Sequence, residues 1–213
     1  MEKMTLIKKG AEAELYRMTW MGRDSVLKRR IKKVYRNPDL DLYIRTTRTS
    51  LEAKLLSEAR RLGVPTPIVY SVDLKNAEII MSFIPGSPLK KIIPKMDRKS
   101  LHETFNLVGS LVGRLHKGGI VHGDLTTSNM ILKDDALFLI DFGLGDHTFD
   151  LEARGVDIHL MRRALESSHH EVSKWAYEGF ISGYEEIMCD EIKDILKRVS
   201  EIRRRGRYVE GGR

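Results

Sequence analysis

Three short motifs in residues 121–143 contain the residue types that phosphoryl transfer requires. His122-Gly123-Asp124 is followed by Asn129, five positions after the aspartate, and then by Asp141-Phe142-Gly143. Such a site needs a carboxylate that orients the attacking hydroxyl and oxygen ligands that hold Mg²⁺. The pattern H-x-D-x-x-x-x-N followed by D-F-G therefore predicts Asp124 as the catalytic residue, with Asn129 and Asp141 as metal ligands. The alternative is a surface loop with coincidental acidic residues.

The segments around these motifs are predicted to bring the two aspartates together. Apolar residues at helical spacing indicate a helix over Ser100–Lys117, with a capping box formed by Ser100 and Glu103. We call residues His122–Asn129 the catalytic loop. Two apolar runs follow it, Met130–Leu132 and Leu137–Ile140, and they indicate a β-hairpin. Because the ends of a hairpin lie side by side, carboxylates seventeen positions apart can share one metal cluster.

An upstream lysine and glutamate supply the nucleotide half of such a site. Val26-Leu27-Lys28 is an apolar strand that ends in a lysine, the arrangement that aims an ammonium at the α- and β-phosphates. Glu52 lies near the start of an apolar stripe that indicates a helix, which Gly63 and Pro65 would end. We expect Lys28 and Glu52 to pair, the alternative being two separate solvated charges.

The segment that would cover the phosphates has an unusual composition. Kinases typically show G-x-G-x-x-G-x-V, whereas Ile7–Tyr16 contains one glycine, Gly10. Fewer glycines restrict how closely backbone N–H groups approach the phosphates. By itself the segment predicts a plain hairpin, and together with the later motifs it predicts that Gly10–Ala13 covers the phosphates.

Several further stretches resemble one particular kinase family. They are Arg30–Asp41, Arg45–Arg48, Glu52–Leu56, Gly63–Pro67, Gly10–Ala13, His122–Asn129 and Arg205–Arg207. In these stretches the chain resembles the small atypical kinase subunit of the KEOPS complex, which helps make threonylcarbamoyladenosine on tRNA. The resemblance covers nearly the whole chain.

The resemblance implies a serine/threonine kinase and ATPase that uses ATP and Mg²⁺. It also implies binding to the universal tRNA-modifying enzyme subunit and to the other KEOPS subunits. The residues expected to bind the nucleotide are Ile7, Gly10, Ala11, Glu12, Ala13, Leu15, Val26, Lys28, Glu52, Met81 and Phe83. The sequence departs from the family in having Ser82 where an acidic residue is common, so no side-chain contact to adenine is assigned there.

The expected fold class is α+β, a minimal protein-kinase-like bilobal fold with a truncated activation segment. We expect a small β-rich lobe over residues 1–81, a hinge over residues 82–88 and a mainly helical lobe over residues 89–213. A chain of 213 residues is short for two full kinase lobes. Two more helices of the second lobe are indicated by the spacing of Trp175, Phe180, Ile181 and Tyr184, and of Ile192, Ile195, Leu196, Val199 and Ile202.

The shortening lies after Gly143. No A-P-E sequence follows, and Asp157 comes only sixteen residues after Asp141, which leaves no room for a long activation segment. Gly123 replaces the arginine of H-R-D, which in many kinases binds a phosphorylated activation loop. Activity is therefore expected not to depend on phosphorylation of such a loop. Asp157 could anchor the catalytic-loop backbone or cap its own helix.

Charge and composition limit the compartment and the partners. The net charge is +7, and the segment 197–213 contributes seven basic residues against Glu201 and Glu210. A second basic cluster comprises Lys28, Arg29, Arg30, Lys32, Lys33 and Arg36. Such clusters favour polyanions, so we expect the C-terminal tail to contact tRNA, the alternative being a solvated helix end. A single cysteine and the lack of a long apolar run or signal peptide predict a cytoplasmic protein without disulfides.

Other functions remain open from the sequence alone. A RIO-like ribosome-assembly kinase shares the shortened activation segment, although Tyr35-Arg36-Asn37-Pro38 argues against it. A small-molecule phosphotransferase is disfavoured because no substrate-lobe insertion is visible. A catalytically idle scaffold for tRNA and proteins is opposed by the presence of the lysine, the metal ligands and Asp124 together. His169 and His170 are expected to be surface residues and not metal ligands.

Overall fold

The computed structural model describes residues 4–210, with side chains for residues 4–205. In chain order the elements are β1 (Thr5–Lys9), β2 (Ala13–Trp20), β3 (Arg23–Arg30), α1 (Pro38–Arg61), β4 (Val69–Asp73), β5 (Glu78–Ser82), β6 (Ser87–Pro88), α2 (Leu89–Ile92), α3 (Arg98–Lys117), β7 (Ile120–Val121), β8 (Met130–Lys133), β9 (Ala136–Leu139), β10 (Asp146–His147), α4 (Leu151–Ser168), α5 (Ser173–Met188) and α6 (Ile192–Glu210). Short 3₁₀ turns lie at Ile93–Lys95, Thr127–Asn129, His170–Val172 and Cys189–Glu191.

The first lobe is a five-stranded antiparallel sheet covered by α1. Its strand order is β1-β2-β3-β5-β4, so β3 lies at the centre of the sheet. Buried residues of α1, among them Ala53 and Leu56, belong to the same apolar core as Ile79 and Met81 of β5. The central strand and the helix that packs beside it therefore carry Lys28 and Glu52 on firmly held backbone.

Helix α1 begins much earlier than the apolar stripe near Glu52 indicates. Asn37 caps it, because its side-chain oxygen accepts hydrogen bonds from the N–H groups of Asp39 and Leu40 at 2.9 and 3.3 Å. Pro38 occupies the first turn, where its missing N–H has no helical partner to lose. The resulting helix of 24 residues places Glu52 in its second half and not near its start.

The connection between the lobes is short. β5 ends at Ser82, and the next residues lead into β6, which pairs with β8 of the second lobe through Ser87–Leu132 and Pro88–Ile131. Ser87 and Pro88 are therefore part of the second lobe's three-stranded sheet, β6-β8-β9. The predicted hairpin is present in this sheet as β8 and β9, which pair from Met130–Leu139 to Lys133–Ala136.

The second lobe is mainly helical, and its core is formed by α3 packed against α5. The apolar stripe predicted for α3 is buried, and it contacts Ala176, Phe180 and Tyr184 of α5 within one core. The predicted capping box is wrong, since α3 begins at Arg98 and the N-cap is Asp97. The Asp97 carboxylate accepts the N–H of Ser100 at 2.7 Å, so an aspartate satisfies the helix start three residues earlier.

Within residues 4–210, no helix combines the length and the apolar character required to cross a membrane. Cys189 is exposed and is a free thiol.

Candidate active site

Lys28 and Glu52 form a buried ion pair between the central strand and α1. The Lys28 Nζ lies 2.5 Å from the Glu52 Oε1, and both side chains are almost completely removed from solvent. This contact confirms the predicted pairing. The pairing needs both elements, because β3 fixes the lysine in the sheet and α1 carries the glutamate toward the cleft.

Asp141 of the D-F-G motif reaches the same lysine from the second lobe. Its Oδ1 lies 2.6 Å from the Lys28 Nζ, although 113 residues separate the two positions. Burial raises the pKa of Asp141, but the neighbouring Lys28 ammonium outweighs this and holds the pKa below its usual range. Burial likewise lowers the pKa of Lys28, and the carboxylates of Glu52 and Asp141 raise it by more. The lysine is therefore held as a cation and Asp141 as an anion.

The backbone of Asp141 has an uncommon conformation. Its φ of 65° lies in the left-handed region, which costs a non-glycine residue free energy unless the surroundings impose it. Phe142 is completely buried in the core beside it. The buried Phe142 anchors the strained backbone of Asp141. The direction of the Asp141 carboxylate is therefore fixed by the core beside it.

The catalytic loop holds Asp124 and Asn129 together. The Asn129 Nδ2 donates to the Asp124 Oδ2 at 2.8 Å and to the Asp124 backbone carbonyl at 2.9 Å. A 3₁₀ turn at Thr127–Asn129 provides the bend that returns Asn129 to the aspartate. Since the amide nitrogen is used in this way, the Asn129 Oδ1 is left to serve as an oxygen ligand.

Asp157 anchors the catalytic loop from behind. Its Oδ2 accepts the backbone N–H of His122 at 2.6 Å, and its Oδ1 accepts the N–H of Gly123 at 2.8 Å. α4 is capped instead by Asp150, whose side chain accepts the N–H of Glu152. Of the two uses left open by the sequence, the structure selects the anchor.

A buried network extends from Asp157 into the helical core. The His116 Nε2 lies 3.3 Å from the Asp157 Oδ2, and the His116 Nδ1 lies 2.8 Å from the Tyr184 hydroxyl. Burial raises the pKa of Asp157, but the hydrogen bond with His116 and the nearby His122 lower it to a net value below normal. Burial raises the pKa of Tyr184, so its hydroxyl stays protonated. The network therefore supports a charged carboxylate beneath the loop.

His122 lies between the catalytic loop and the D-F-G motif. The ring lies against Phe142, with ring centroids 4.5 Å apart, and its Nε2 lies 3.1 Å from the Ile140 carbonyl. The Nδ1 of the ring accepts the Asp124 N–H at 3.3 Å. His122 therefore packs behind the loop, where it joins the catalytic loop to the D-F-G motif.

The glycine that replaces the arginine of H-R-D is required by the short segment after D-F-G. Gly123 has a φ of +77°, and a Cβ at this position would lie 1.9 Å from the carbonyl oxygen of Leu144. β10 begins at Asp146 and pairs with β7, which brings this segment directly over the loop. No side chain fits at position 123, because the truncated activation segment occupies the space.

Two adjoining cavities lie between the lobes and share Lys8, Leu15, Lys28 and Asp141. The larger cavity, about 260 Å³, is lined mostly by apolar side chains of both lobes and by residues 81–84, where β5 leads into the hinge. The second, about 220 Å³, is lined by the loop Gly10–Ala13 together with Asp124 and Asp141. An apolar cavity that opens onto a charged one suits a nucleoside joined to a polyphosphate.

Every residue predicted from the sequence to bind nucleotide lines one of these two cavities. Ile7, Val26, Glu52, Met81 and Phe83 lie at the apolar end, and Gly10, Ala11, Glu12 and Ala13 at the charged end. Their roles as ligands of a nucleotide remain predictions. Further lining residues that the sequence did not indicate are Lys8, Arg30, Arg48, Pro67, Ser82, Ile84, Pro88, Ser128, Ile131, Ile140, Gly143 and Leu144.

The loop Gly10–Ala13 is held by cations. The Gly10 N–H donates to the Ala13 carbonyl at 2.9 Å, which closes the turn between β1 and β2. The Lys33 ammonium donates to the Ala11 carbonyl, and the Arg48 guanidinium lies 3.6 Å from the Glu12 carboxylate. These contacts supply a fixed loop conformation without the three glycines of the usual motif.

The oxygen atoms in the charged cavity suit Mg²⁺. Lys28 and the Gly143 N–H both bond the Oδ1 of Asp141, which leaves its Oδ2 for a metal ion. The Asp141 side chain is 46% exposed and lines the cavity with Asp124. Within the described part of the chain, no group of three or more His, Cys, Asp or Glu side chains forms a metal site. Mg²⁺ would instead take ligands from Asn129, Asp141, phosphate oxygens and water.

The residues of the second basic cluster do not all face the same way. Lys28 and Arg30 are buried and point toward Glu52, while Arg29 pairs with Glu78 at 2.6 Å. Charged residues in a strand alternate between its two faces, so this basic run divides between the cleft and the outside of the sheet. Lys28, Arg29 and Arg30 therefore do not form one continuous basic surface, which binding of a polyanion by the cluster would require.

The expectation that His169 is a surface residue is also wrong. It is buried, and its Nε2 lies 3.2 Å from the Thr127 Oγ1 of the catalytic loop. Its partner in the pair, His170, is exposed as expected. α4 ends at Ser168, next to the catalytic loop. His169 therefore faces the loop, and His170 faces solvent.

The described part of the basic tail is the end of α6. Arg205 donates to the Glu152 Oε1 of α4 at 2.5 Å, and Arg198 lies 3.5 Å from the same carboxylate. Side chains from position 206 onward, including those of Arg207 and Arg213, lie outside the described residues. The start Met1-Glu2-Lys3 also lies outside them.

Comparison with known proteins gives three findings. Residues 15–145 match the family defined by the RIO domain. The KEOPS complex subunit Bud32 of Pyrococcus abyssi is 42% identical over 97% of this chain and 97% of its own length. A probable bifunctional tRNA threonylcarbamoyladenosine biosynthesis protein of Methanosarcina acetivorans is 47% identical over 94% of this chain, which spans 35% of that relative.

A similar fold is found in a solved structure, the Rio2 kinase-ADP/Mg²⁺-phosphoaspartate complex from Chaetomium thermophilum. The two chains are 16% identical, with a TM-score of 0.66 over 98% of this chain and 71% of the other. The fold and the cleft are thus those of the protein-kinase-like phosphotransferases. The chain belongs to the RIO domain family and, within it, to the family of the KEOPS complex subunit Bud32.

Proposed function

We propose that this protein is a Mg-ATP-dependent serine/threonine kinase and ATPase that works within a KEOPS complex and supports threonylcarbamoyladenosine modification of tRNA. The observation that carries the proposal is the cleft in which Lys28 meets both Glu52 and Asp141, in a chain 42% identical to a KEOPS subunit over 97% of both lengths. The relatives' names supply the complex and the pathway. The site geometry supports the chemistry.

In the proposed reaction, the apolar cavity holds the adenine beside Met81 and Phe83. Lys28, kept in place by Glu52, contacts the phosphates, and the loop Gly10–Ala13 covers them. Asn129 and Asp141 would hold Mg²⁺, which would neutralise negative charge on the phosphates. Asp124 orients a water or a Ser/Thr hydroxyl and accepts its proton as that oxygen bonds to the γ-phosphorus, while the bond from the γ-phosphorus to the bridging oxygen breaks and ADP leaves.

The short segment after D-F-G supports partner-directed activity. Only residues 142–150 lie between Asp141 and the start of α4. A long activation segment would form a docking surface here, and this part of the chain is too short to form one. A partner protein would then decide whether the acceptor is water or a protein hydroxyl. We propose that the universal tRNA-modifying subunit fills this role, with tRNA held through the basic end of α6.

The test is ATP turnover by the purified chain alone, with tRNA, with the tRNA-modifying subunit, with both together, and with pre-ribosomal particles. The proposal predicts that stimulation requires the partner and is greatest when tRNA is also present. The RIO domain match makes a ribosome-assembly kinase the second candidate. Stimulation by pre-ribosomal particles and not by the tRNA-modifying partner would favour that candidate and overturn the proposal.

A further inference from the structure

Glu52 has two cationic partners, one for each carboxylate oxygen. Lys28 lies 2.5 Å from Oε1, and the Arg30 NH2 lies 2.6 Å from Oε2. Lys28 and Arg30 are two residues apart on β3, so both side chains leave the same face of the strand. Arg30 is only 6% exposed. A buried arginine therefore shares the glutamate that is expected to position the nucleotide-binding lysine.

Arg30 also lies beside the loop Gly10–Ala13 and the D-F-G motif of the proposed site. It lines the charged cavity together with the loop Gly10–Ala13 and Asp141. A Cβ at Gly143 of the D-F-G motif would lie 3.0 Å from its guanidinium. On the backbone, Arg30 pairs with Ala13 at the end of the loop. Within residues 4–205 its buried Nε has no hydrogen-bond partner, so the guanidinium is not fully engaged by the protein.

Lys28 gains further partners when a nucleotide binds. Its ammonium already contacts Glu52 and Asp141. Phosphates would compete for the same ammonium, while the pair of Lys28 and Glu52 must stay in place for phosphoryl transfer. A buried carboxylate whose partner is weakened is poorly compensated. The second contact, from Arg30, keeps the Glu52 carboxylate paired and in position while Lys28 bonds both Glu52 and the phosphates.

We propose that Arg30 is a positioning residue of the nucleotide site. It holds the Glu52 carboxylate, and with it α1, in the position needed for binding while Lys28 engages the phosphates. The inference rests on the proposed function only in requiring that the site binds Mg-ATP. It adds a residue that the lysine–glutamate pair of the motif does not include.

A purely structural ion pair would give the same contacts, so the test must separate affinity from stability. The probe is a non-hydrolysable ATP analogue with Mg²⁺, titrated calorimetrically into the full chain, and the free energy of unfolding is measured in urea. The variants are R30Q, R30K, E52Q and the double variants R30Q/E52Q and R30K/E52Q. R29Q is the matched control, because Arg29 is on the same strand, 43% exposed and paired with Glu78 on the other face.

We expect R30Q to weaken analogue binding about tenfold and R30K about threefold, as coupled neighbours typically do. R29Q should bind like the parent. In the E52Q background, R30Q should change affinity by less than about twofold, since the residue through which Arg30 acts is already altered. If R30Q does not fold, R30K in the parent and in the E52Q background provides the same comparison.

Three results would overturn the inference. The first is that R30Q binds the analogue like the parent although its free energy of unfolding is lower. The second is that R30Q loses affinity equally in the parent and in E52Q. The third, if R30Q does not fold, is that R30K binds the analogue like the parent. A parent chain that does not bind the analogue at all would instead overturn the proposed function, and the inference with it.

Discussion

Lys28 and Asp141 lie 2.6 Å apart across the cleft, one on the central strand of the first lobe and the other at the start of the D-F-G motif. Because each belongs to a different lobe, this contact closes the charged end of the cavity. It also joins the residue expected to hold phosphates to the residue expected to hold Mg²⁺. Under the proposed function, nucleotide and Mg²⁺ would meet this pair directly, so its charge state bears on their binding.

The charge states of this pair predict a flat pH response near neutrality. The raised pKa of Lys28 gives stability that is present below the ordinary lysine pKa and is lost as pH rises past the folded value. The lowered pKa of Asp141 gives stability that is present above the ordinary aspartate pKa and is lost as pH falls through the folded value. Between about pH 5 and 9 both groups stay charged.

Urea unfolding of the parent and of Lys28→Met between about pH 7 and 9 tests this prediction, because at lower pH burial raises the pKa of Asp141 once Lys28 is removed. The difference in the free energy of unfolding between the two proteins should stay constant within about 0.5 kcal/mol. A difference that changes by more than about 1.4 kcal/mol would mean that one member of the pair titrates near neutrality.

Asp124→Asn should remove phosphoryl transfer and leave nucleotide binding largely intact. A positioned general base contributes about 100-fold or more to such reactions, so phosphate release should fall by at least that factor. The Asn129 amide contacts Asp124 and is a metal-ligand candidate, so analogue affinity is measured as well. Asp135→Asn, in the exposed hairpin turn, is the control. Release at the parent rate by the Asp124 variant would support a scaffold or a contaminating activity.

Asp157→Asn should destabilise the protein through the catalytic loop. An amide can accept one of the two backbone N–H groups now bound by the carboxylate, and the other would be left buried and unpaired. The expected loss is about 2–3 kcal/mol in the free energy of unfolding, with reduced ATP turnover. Asp150→Asn is the control, since asparagine caps a helix as well as aspartate does. Similar losses in the two variants would argue against the anchor.

Gly123→Ala should be far more costly than Gly22→Ala. Both glycines have φ near +76°, but a Cβ at position 22 meets nothing within 4 Å, whereas at position 123 it meets the Leu144 carbonyl. The backbone penalty alone is about 1–2 kcal/mol, and the clash should add about 1–3 kcal/mol. Chemical denaturation of both variants measures the difference. Equal losses would show that the segment after D-F-G yields easily and does not require glycine.

Deletion of residues 203–213 should weaken tRNA binding and flatten its dependence on salt. Each lost contact between a basic residue and a phosphate lowers the slope of log affinity against log salt by about one. Replacement of four exposed lysines with glutamine is the control for overall charge, because the deletion removes a net charge of four: they are Lys54, Lys75, Lys99 and Lys174. An unchanged slope in the deletion variant would exclude the tail from RNA contact.

The sequence predicted which side chains converge better than it predicted the elements that carry them. The convergence of Asp124, Asn129 and Asp141 could be predicted because short strands fix their spacing, and the same holds for Lys28 on a central strand. The start of α1 was missed because its buried face includes Asp41, Thr49 and Glu52, which weakens any apolar stripe. In retrospect the signal was Asn37-Pro38, a capping residue followed by a first-turn proline.

Arg30 and His169 were missed for a different reason. A basic run and a histidine pair are usually solvated, so their composition favours the surface. Arg30 is buried because strand alternation places it beside Lys28, and that same face needs a partner for Glu52. His169 is buried because α4 ends against Thr127 of the catalytic loop. Both depend on which elements pack together, and local sequence does not contain that information.

Nucleotide-linked stabilisation of the fold tests the two-lobe clamp most directly. The free energy of unfolding is measured with a non-hydrolysable ATP analogue plus Mg²⁺, and with the analogue plus EDTA, for the parent and for Asp141→Asn. A clamp of this kind predicts that the analogue with Mg²⁺, at a concentration 100 times its dissociation constant, stabilises the parent by about 2.7 kcal/mol. It predicts little stabilisation with EDTA or in the variant. Equal stabilisation under all of these conditions would contradict a clamp built on Mg²⁺ at Asp141.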